Sequence, residues 1–147
     1  MSDTREAPAL QFTPVDQTTF GRGKGNCFAA TVASITGIPL ATLDEELGHG
    51  GGTWHENGEW EPNPDEEHWY DRAQRVLLSH GFALHYETNG QPHTGYLLCS
   101  GMSPRGLQHS TVWRDGVMVH DPHPSRGGIA AIDAWYWIEP VSPEVQP

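Results

Sequence analysis

The sequence predicts an α+β fold in which N-terminal helices pack against a C-terminal antiparallel β-sheet. In the first half of the chain apolar residues recur at helical spacing, whereas from Phe82 onward the pattern divides into short strand-like runs. Between two of these runs lies Asp115–Gly116, a dipeptide that is typical of a tight hairpin turn. Helices first and antiparallel strands second are the pattern of an α+β fold.

Three helices are expected, in a chain that begins with a flexible tail over 1–10. The first helix covers 27–36 and ends at Gly37, because glycine favours the end of a helix. A short second helix begins at Pro39, since proline fits the first helical turn. The third lies within 64–81 and opens with acidic residues. Its apolar stripe is expected in the core and consists of Trp69, Ala73, Val76, Leu77 and His80.

The second half is expected to form the sheet, after an irregular segment. Residues 48–64 contain five glycines and two prolines and predict a long loop, which is a kind of segment that is usually functional or mobile. Another flexible tail is expected at 140–147, and the whole of 1–147 is expected to be a single domain. The predicted strands cover 82–87, 94–100, 109–114, 117–121 and 134–139.

The charge and the apolar pattern exclude several classes of partner. The formal net charge is −11 with eight scattered Lys and Arg, whereas nucleic-acid binding needs clustered basic residues. Two acidic stretches, 44–46 and 56–67, are expected to be solvated surface. The N-terminus lacks the features of a signal peptide and no apolar run is long enough for a membrane span, so we expect a cytoplasmic protein without a membrane partner. The oligomeric state is unknown from the sequence.

The two cysteines are expected to have different roles. Cytosolic thiols stay reduced, so a Cys27–Cys99 disulfide is not expected. Cys99 lies in the apolar run "GYLLCSG" and is expected to be buried and inert. Cys27 follows a glycine-rich loop at the start of the first helix, where unpaired N–H groups and the helix dipole stabilise a thiolate. Taken alone, the position of Cys27 is equally compatible with a packing residue and with a nucleophile.

The argument for a nucleophile comes from the predicted hairpin. In a hairpin centred on Asp115–Gly116, His109 lies opposite about residue 122 and therefore beside Asp121, and a bulge would shift this register by one residue. A carboxylate in that place holds an imidazole in the tautomer that accepts a thiol proton. The following loop, "DPHPSRGG", is expected to fix Asp121 and to line one wall of the cleft. With His109 and Asp121 in register, the nucleophile is the favoured interpretation of Cys27.

Four further groups are candidates for binding the substrate. The backbone N–H of Cys27 and the side-chain amide of Gln17 are candidate donors to an oxyanion, although Gln17 fits equally well as an ordinary surface residue. Asn26 either contributes to the oxyanion and substrate site or caps the first helix. Arg105 either binds a substrate carboxylate or carbonyl or is an exposed turn residue.

Two segments resemble a known family. "GNCFAATVASITGIPL" and "HSTVWRDGVMVHDP" resemble the papain-like cysteine peptidase superfamily, and within it the bacteriocin-processing, double-glycine peptidase branch. The resemblance implies a papain-like fold, a catalytic Cys27, a general base His109 and an orienting Asp121, with a peptide or protein substrate and no cofactor. The oxyanion glutamine of that family usually lies nearer to the cysteine than Gln17, which is ten residues before Cys27. Similar small stand-alone proteins occur in phages and bacteria.

The sequence therefore predicts a cysteine hydrolase that cleaves a peptide or amide bond through a Cys27–His109–Asp121 triad and a thioester acyl-enzyme. One alternative is acyl transfer of the transglutaminase or amidase type by the same triad. Another is a catalytically silent papain-like binding protein, with the acidic segment 56–67 as its contact surface.

A metal site is a less favoured interpretation of the nine histidines. Ligand atoms are available at His49, His55, His68 and 120–123, but there is no HExxH motif and no CxxC pair. His120 is expected to point away from the triad, because neighbouring residues of a strand face opposite sides. No metal and no cofactor are expected.

Overall fold

The computed structural model describes residues 10–21, 25–48, 52–55, 59–90 and 95–141. Within these ranges three helices accompany a five-stranded antiparallel sheet and a separate two-stranded ribbon, so the predicted α+β class is confirmed. The helices are α1 (Cys27–Thr36), α2 (Leu40–Leu47) and α3 (Trp69–Ser79), and the ribbon is β1 (Gly52–Trp54) with β2 (Trp60–Pro62). The sheet comprises β3 (Phe82–Glu87), β4 (Tyr96–Met102), β5 (Gln108–Arg114), β6 (Val117–His120) and β7 (Ala131–Pro140).

Helix α1 is buried on all sides, and its many small residues allow neighbouring elements to pack closely around it. Every residue from Ala29 to Thr36 is buried, and α1 packs against β5 and β4 while α2 lies between α1 and α3. The buried hydroxyls of Ser34 and Thr36 donate to carbonyls one turn earlier, which satisfies their hydrogen-bonding groups. Gly37 ends the helix as predicted, with φ of 80° and its N–H bonded to the carbonyl of Ala33.

The sheet has the strand order β3-β7-β4-β5-β6, with α3 packed on β3. One continuous core joins the helices to the sheet, and its fully buried members include Ile35, Leu43, Leu77, Leu98 and Val112. Burying one such side chain contributes about 1.5–3 kcal/mol to the free energy of unfolding. A smaller cluster of Leu97, Cys99 and Trp135 is covered by Trp113, Ile129 and Trp137.

The predicted hairpin is confirmed, with one bulge. Asp115 and Gly116 both have positive φ, 52° and 85°, as a two-residue type I′ turn requires. Arg114 pairs with Val117, but beyond Trp113 the register shifts by one residue, and strand β6 ends at His120. Asp121 therefore lies immediately after β6 rather than within it.

Gly101 makes room for the strand that carries His109. It lies opposite His109 in the β4–β5 register and beside a bulge against β7. A Cβ atom at Gly101 would lie 2.1 Å from the carbonyl oxygen of Ala131 and 2.9 Å from Ile129 Cγ2. Only glycine fits there without moving the backbone.

We expect Gly101→Ala to lower the free energy of unfolding by about 3 kcal/mol, because the new methyl group collides with backbone rather than with a flexible side chain. Urea denaturation measures this change. Gly127→Ala is the matched control, since a Cβ there has no neighbour nearer than 3.5 Å, and it should cost less than about 1 kcal/mol. Equal midpoints for the two variants would contradict the packing described for Gly101.

Several predicted boundaries were wrong. The expected loop 48–64 contains the antiparallel β1–β2 ribbon, which Trp and Thr residues favour. Helix α2 begins at Leu40, with Pro39 as its N-cap. Helix α3 begins at Trp69, because the preceding acidic residues form a turn in which the Asn63 side chain accepts the N–H of Asp65. His68 caps α3 by accepting the N–H of Tyr70.

The predicted tails were too long at both ends. Leu10 packs against the core, and Pro140 belongs to β7, where it pairs with Phe82. The rest of the predicted tails, 1–9 and 142–147, lies outside the described residues. In the described ranges, none of the helices has the length and apolar character that crossing a membrane requires.

Candidate active site

Cys27 is the first residue of α1 and is a half-buried free thiol. Burial raises the pKa of this thiol to about 11, although the backbone N–H groups of Ser110, Phe28 and Cys27 itself act in the opposite direction. The sulfur therefore lies beside β5, next to the residue that follows His109. At neutral pH Cys27 is a neutral thiol, in contrast to the thiolate that its helix position alone predicts.

His109 and Asp121 form a buried pair, as the hairpin predicts. His109 Nε2 lies 2.6 Å from Asp121 Oδ1, and both side chains are almost fully buried. Because an ionised carboxylate only accepts hydrogen bonds, the ring proton is on Nε2 and Nδ1 is left as the basic nitrogen. Burial lowers the pKa of His109 below the usual 6.5, and the opposing hydrogen bond and charge of Asp121 do not outweigh this effect.

Three hydrogen bonds hold the Asp121 carboxylate, and two of them come from the loop that follows it. The backbone N–H groups of His123 and Gly128 donate to its two oxygens at 2.8 and 2.7 Å. Arg126 bonds the Asp121 carbonyl and pairs with Asp16. Burial by itself would raise the pKa of the Asp121 carboxyl, but the bonds from His109, His123 and Gly128 hold it below the usual 3.8. The predicted role of this loop in fixing Asp121 is thus confirmed.

Gln17 and Asn26 lie beside Cys27, but their amides are arranged differently. Gln17 is buried, its Nε2 donates to the Thr19 carbonyl at 2.9 Å, and its Oε1 has no hydrogen-bond partner among the described residues. The Gln17 backbone N–H donates to the Pro122 carbonyl, which ties this segment to the Asp121 loop. The second Nε2–H of Gln17 has no acceptor among the described residues.

Asn26 occupies the N-cap position of α1, but its side chain makes no capping hydrogen bond, so the capping alternative is wrong. Its Oδ1 accepts the N–H groups of Thr18 and Thr19, and its Nδ2 donates to the Thr18 hydroxyl. The side chain is thereby engaged in shaping the loop before Cys27, and one of its two Nδ2–H groups has no acceptor among the described residues.

A cavity of about 490 Å³ connects these groups. Cys27, His109, Gln17 and Asn26 all line it, and Arg105 lies at its wall as an exposed turn residue. An aromatic wall faces them, in which the Trp69 ring lies 5.5 Å from the ring of Phe28 and 5.8 Å from that of Tyr136. Trp69 therefore packs on the core, as predicted, and also lines the cavity.

Sequence reasoning placed the loop that contains His123 at the wall of the cleft, but it assigned His123 itself no role there. Its ring lies 6.1 Å from the ring of His109 in an edge-on arrangement, and it lines the same space. The only individual role considered for it in the sequence was that of a metal ligand within 120–123. The prolines on both sides of His123 were the available signal, because they indicate a rigid, turned loop.

The remaining cysteine and histidines are placed as follows. Cys99 is a buried free thiol, as predicted. His120 is directed away from the triad, with Nε2 3.0 Å from the Val15 carbonyl and 3.1 Å from an Asp16 oxygen. His55 pairs with Glu61, whereas His49 and part of the acidic segment, 56–58, lie outside the described residues. In the part of the chain that the structure describes, no three His, Cys, Asp or Glu residues are grouped as metal ligands.

Comparison of the chain with models of known protein families, with curated proteins and with solved structures finds no match.

Proposed function

We propose that this protein is a papain-like cysteine hydrolase that cleaves a peptide or amide bond through a thioester acyl-enzyme. The buried hydrogen bond between His109 and Asp121, at the wall of the cavity that contains Cys27, is the observation that carries the proposal. Burial of a titratable imidazole costs free energy, and buried groups with a shifted pKa are concentrated at functional sites. The order of helices and antiparallel sheet is compatible with the resemblance seen in the sequence.

The first chemical step uses a neutral thiol and a neutral imidazole. His109 Nδ1 takes the proton of Cys27 as Sγ forms a bond to the substrate carbonyl carbon, and Asp121 stabilises the imidazolium that results. The carbonyl oxygen becomes an oxyanion, for which the Cys27 backbone N–H and the available Nε2–H of Gln17 are the candidate donors. The carbon–nitrogen bond then breaks, and the amine leaves with the proton from His109.

Hydrolysis completes the cycle. Water attacks the thioester carbonyl carbon, and His109 takes a proton from that water. The carbon–sulfur bond then breaks as His109 gives this proton to Sγ, which releases a carboxylic acid and the Cys27 thiol. An amine acceptor in place of water would give the transferase alternative by the same steps. No cofactor enters this scheme.

The direct test is acylation by p-nitrophenyl acetate, which reports the release of nitrophenolate. We expect a burst of about one equivalent per chain, which is the kinetic sign of an acyl-enzyme. Cys27→Ser should abolish the burst, whereas the matched Cys99→Ser variant should retain it because Cys99 is buried away from the cavity. The absence of a burst, or a burst that survives Cys27→Ser, would rule out the proposed nucleophile.

The pH dependence of acylation follows from the direction of the two pKa shifts. Because protonated His109 accepts no proton, the rate should fall as the pH drops through the pKa of His109, which lies below 6.5. Above this limb the rate should stay level across neutral pH, since the thiol does not ionise until its pKa of about 11 is approached. Stopped-flow acylation rates from pH 4 to 10 measure the profile, at ~0.5-unit spacing. A rate that climbs steadily through pH 8–9 would indicate an unassisted thiol.

A further inference from the structure

Arg105 differs from the other arginines in the described ranges. Those four each have a carboxylate oxygen near the guanidinium, at 2.7–3.8 Å: Arg72 and Arg75 with Glu67, Arg114 with Asp115, and Arg126 with Asp16. Among the described residues no carboxylate lies within ion-pair distance of Arg105, although the chain carries 19 acidic residues against eight basic ones. Of the five described arginines, the one that lines the cavity is the one without a described carboxylate partner.

The backbone presents Arg105 in a fixed turn. The Gly106 N–H donates to the Ser103 carbonyl, and the Ser103 hydroxyl donates to the Leu107 carbonyl at 2.9 Å. Gly106 has φ of 81°, which closes the turn. On the other side, Arg105 Nη1 donates to the Ser125 hydroxyl at 2.9 Å, so that the guanidinium is bridged to the Asp121 loop. Its other N–H groups have no acceptor in the described part of the chain.

His123 supplies a second donor beside Arg105. The Ser125 backbone N–H lies 3.0 Å from His123 Nδ1, and because an N–H only donates, Nδ1 is the acceptor and Nε2 carries the proton. No acceptor for this Nε2–H occurs in the described part of the chain. The ring is held between Phe20 and His109, with centroids at 5.4 and 6.1 Å.

The charge of Arg105 acts on the reaction centre. After burial, which is the largest cause, it helps to lower the pKa values of His109 and His123, and it offsets a small part of the rise in the pKa of Cys27, so that its field reaches all three groups. Two carboxylates, Asp44 and Asp133, also line the cavity, but neither is paired with Arg105, and Asp133 accepts a hydrogen bond from Gln108. On a protein of net charge −11, this is a local site that attracts an anion.

We infer that Arg105 and His123 form a carboxylate-binding subsite beside Cys27, so that the preferred amide substrate carries a carboxylate close to the scissile bond. This inference rests on the proposed function for its position in the reaction. The guanidinium supplies charged donors and the imidazole supplies a neutral one, a combination suited to an oxygen anion. The carboxylate comes either from the C-terminus of a peptide or from an Asp or Glu side chain.

The test is an NMR titration that follows the ring resonances of His109 and His123 at neutral pH. The probes are N-acetylalanine, N-acetylaspartyl amide and, as an uncharged control, N-acetylalaninamide. We expect at least one carboxylate probe to bind about tenfold more tightly than the control, which is the scale of one charge-assisted hydrogen bond. Tighter binding of N-acetylalanine identifies a C-terminal carboxylate, and tighter binding of the aspartyl probe identifies a side chain.

Two variants assign the effect to Arg105. Arg105→Gln should remove the preference for carboxylate, and Arg105→Lys should retain part of it, because lysine keeps the charge without the planar fork. Arg114→Gln is the matched control, since Arg114 is exposed, pairs with Asp115 and does not line the cavity. Amide spectra verify that each variant is folded.

Equal affinity for carboxylate and amide probes would overturn the inference, as would an undiminished preference in Arg105→Gln. Binding of these probes requires no reaction at Cys27. A protein that shows the preference but no acylation burst therefore contradicts the proposed function alone, and one that shows the burst without the preference contradicts the subsite alone.

Discussion

Replacing His109 by glutamine is expected to slow the acylation of Cys27 by p-nitrophenyl acetate about 10²–10⁴-fold, the usual contribution of a general base. Glutamine Nε2 occupies nearly the position of histidine Nε2, so the variant can keep the 2.6 Å hydrogen bond to Asp121. What it loses is the basic nitrogen Nδ1. The fold should therefore persist while proton transfer from the neutral thiol is lost.

The rate of nitrophenolate release under single-turnover conditions measures this effect. The matched control is His85→Gln, because His85 is a half-buried histidine outside the cavity that also pairs with a carboxylate, that of Glu139. The control should leave the rate unchanged within about twofold. If both variants acylate at the wild-type rate, His109 does not activate Cys27.

Replacing Asp121 by asparagine is expected to reduce both activity and stability. The asparagine NH₂ group cannot accept the N–H bonds that the two carboxylate oxygens accept from His109, His123 and Gly128. At least one buried donor is then left without a partner, which costs about 1–3 kcal/mol. Loss of the negative charge also removes the stabilisation of the His109 imidazolium, so acylation should slow by about 10²–10⁴-fold.

The pH dependence of the free energy of unfolding shows whether the negative charge of Asp121 causes the loss of stability in Asp121→Asn. The pKa of Asp121 is lowered in the folded protein, so its ionisation stabilises the fold above the usual 3.8, and this contribution is lost as the pH falls through the folded value. In Asp121→Asn this part of the decrease in the free energy of unfolding at acid pH should be absent. Urea unfolding from pH 7 down to about 3 measures the difference, with Asp115→Asn as an exposed control. An acid profile that is identical in wild type and Asp121→Asn would contradict the account.

Much of the fold follows from local signals in the sequence. Helix α1 has the predicted bounds because Gly37 and the small apolar run before it are strong local determinants. The β5–β6 hairpin follows from Asp115–Gly116, since a type I′ turn accepts few other dipeptides. The β1–β2 ribbon was missed because its three-residue strands lie among glycines that favour a loop.

The candidate site is only partly encoded in local patterns. The meeting of His109 and Asp121 could be predicted because turn geometry determines which residues of a hairpin lie together. Arg105 was a candidate carboxylate ligand from the sequence alone, but its proximity to His123 could not be predicted, because it depends on how two separate loops pack. The raised pKa of Cys27 likewise depends on burial by distant segments, and this tertiary effect outweighs the local influence of the helix N-terminus.

The central claim is that His109 activates Cys27, and the alkylation rates of the two thiols by iodoacetamide at pH 7 test it most directly. Peptide mapping by mass spectrometry follows each cysteine separately, so that Cys99 serves as an internal control. The account predicts that Cys27 reacts at least about 10²-fold faster than Cys99 and that His109→Gln removes most of this advantage. Equally slow labelling of both cysteines, or fast labelling of Cys27 that His109→Gln leaves unchanged, would contradict it.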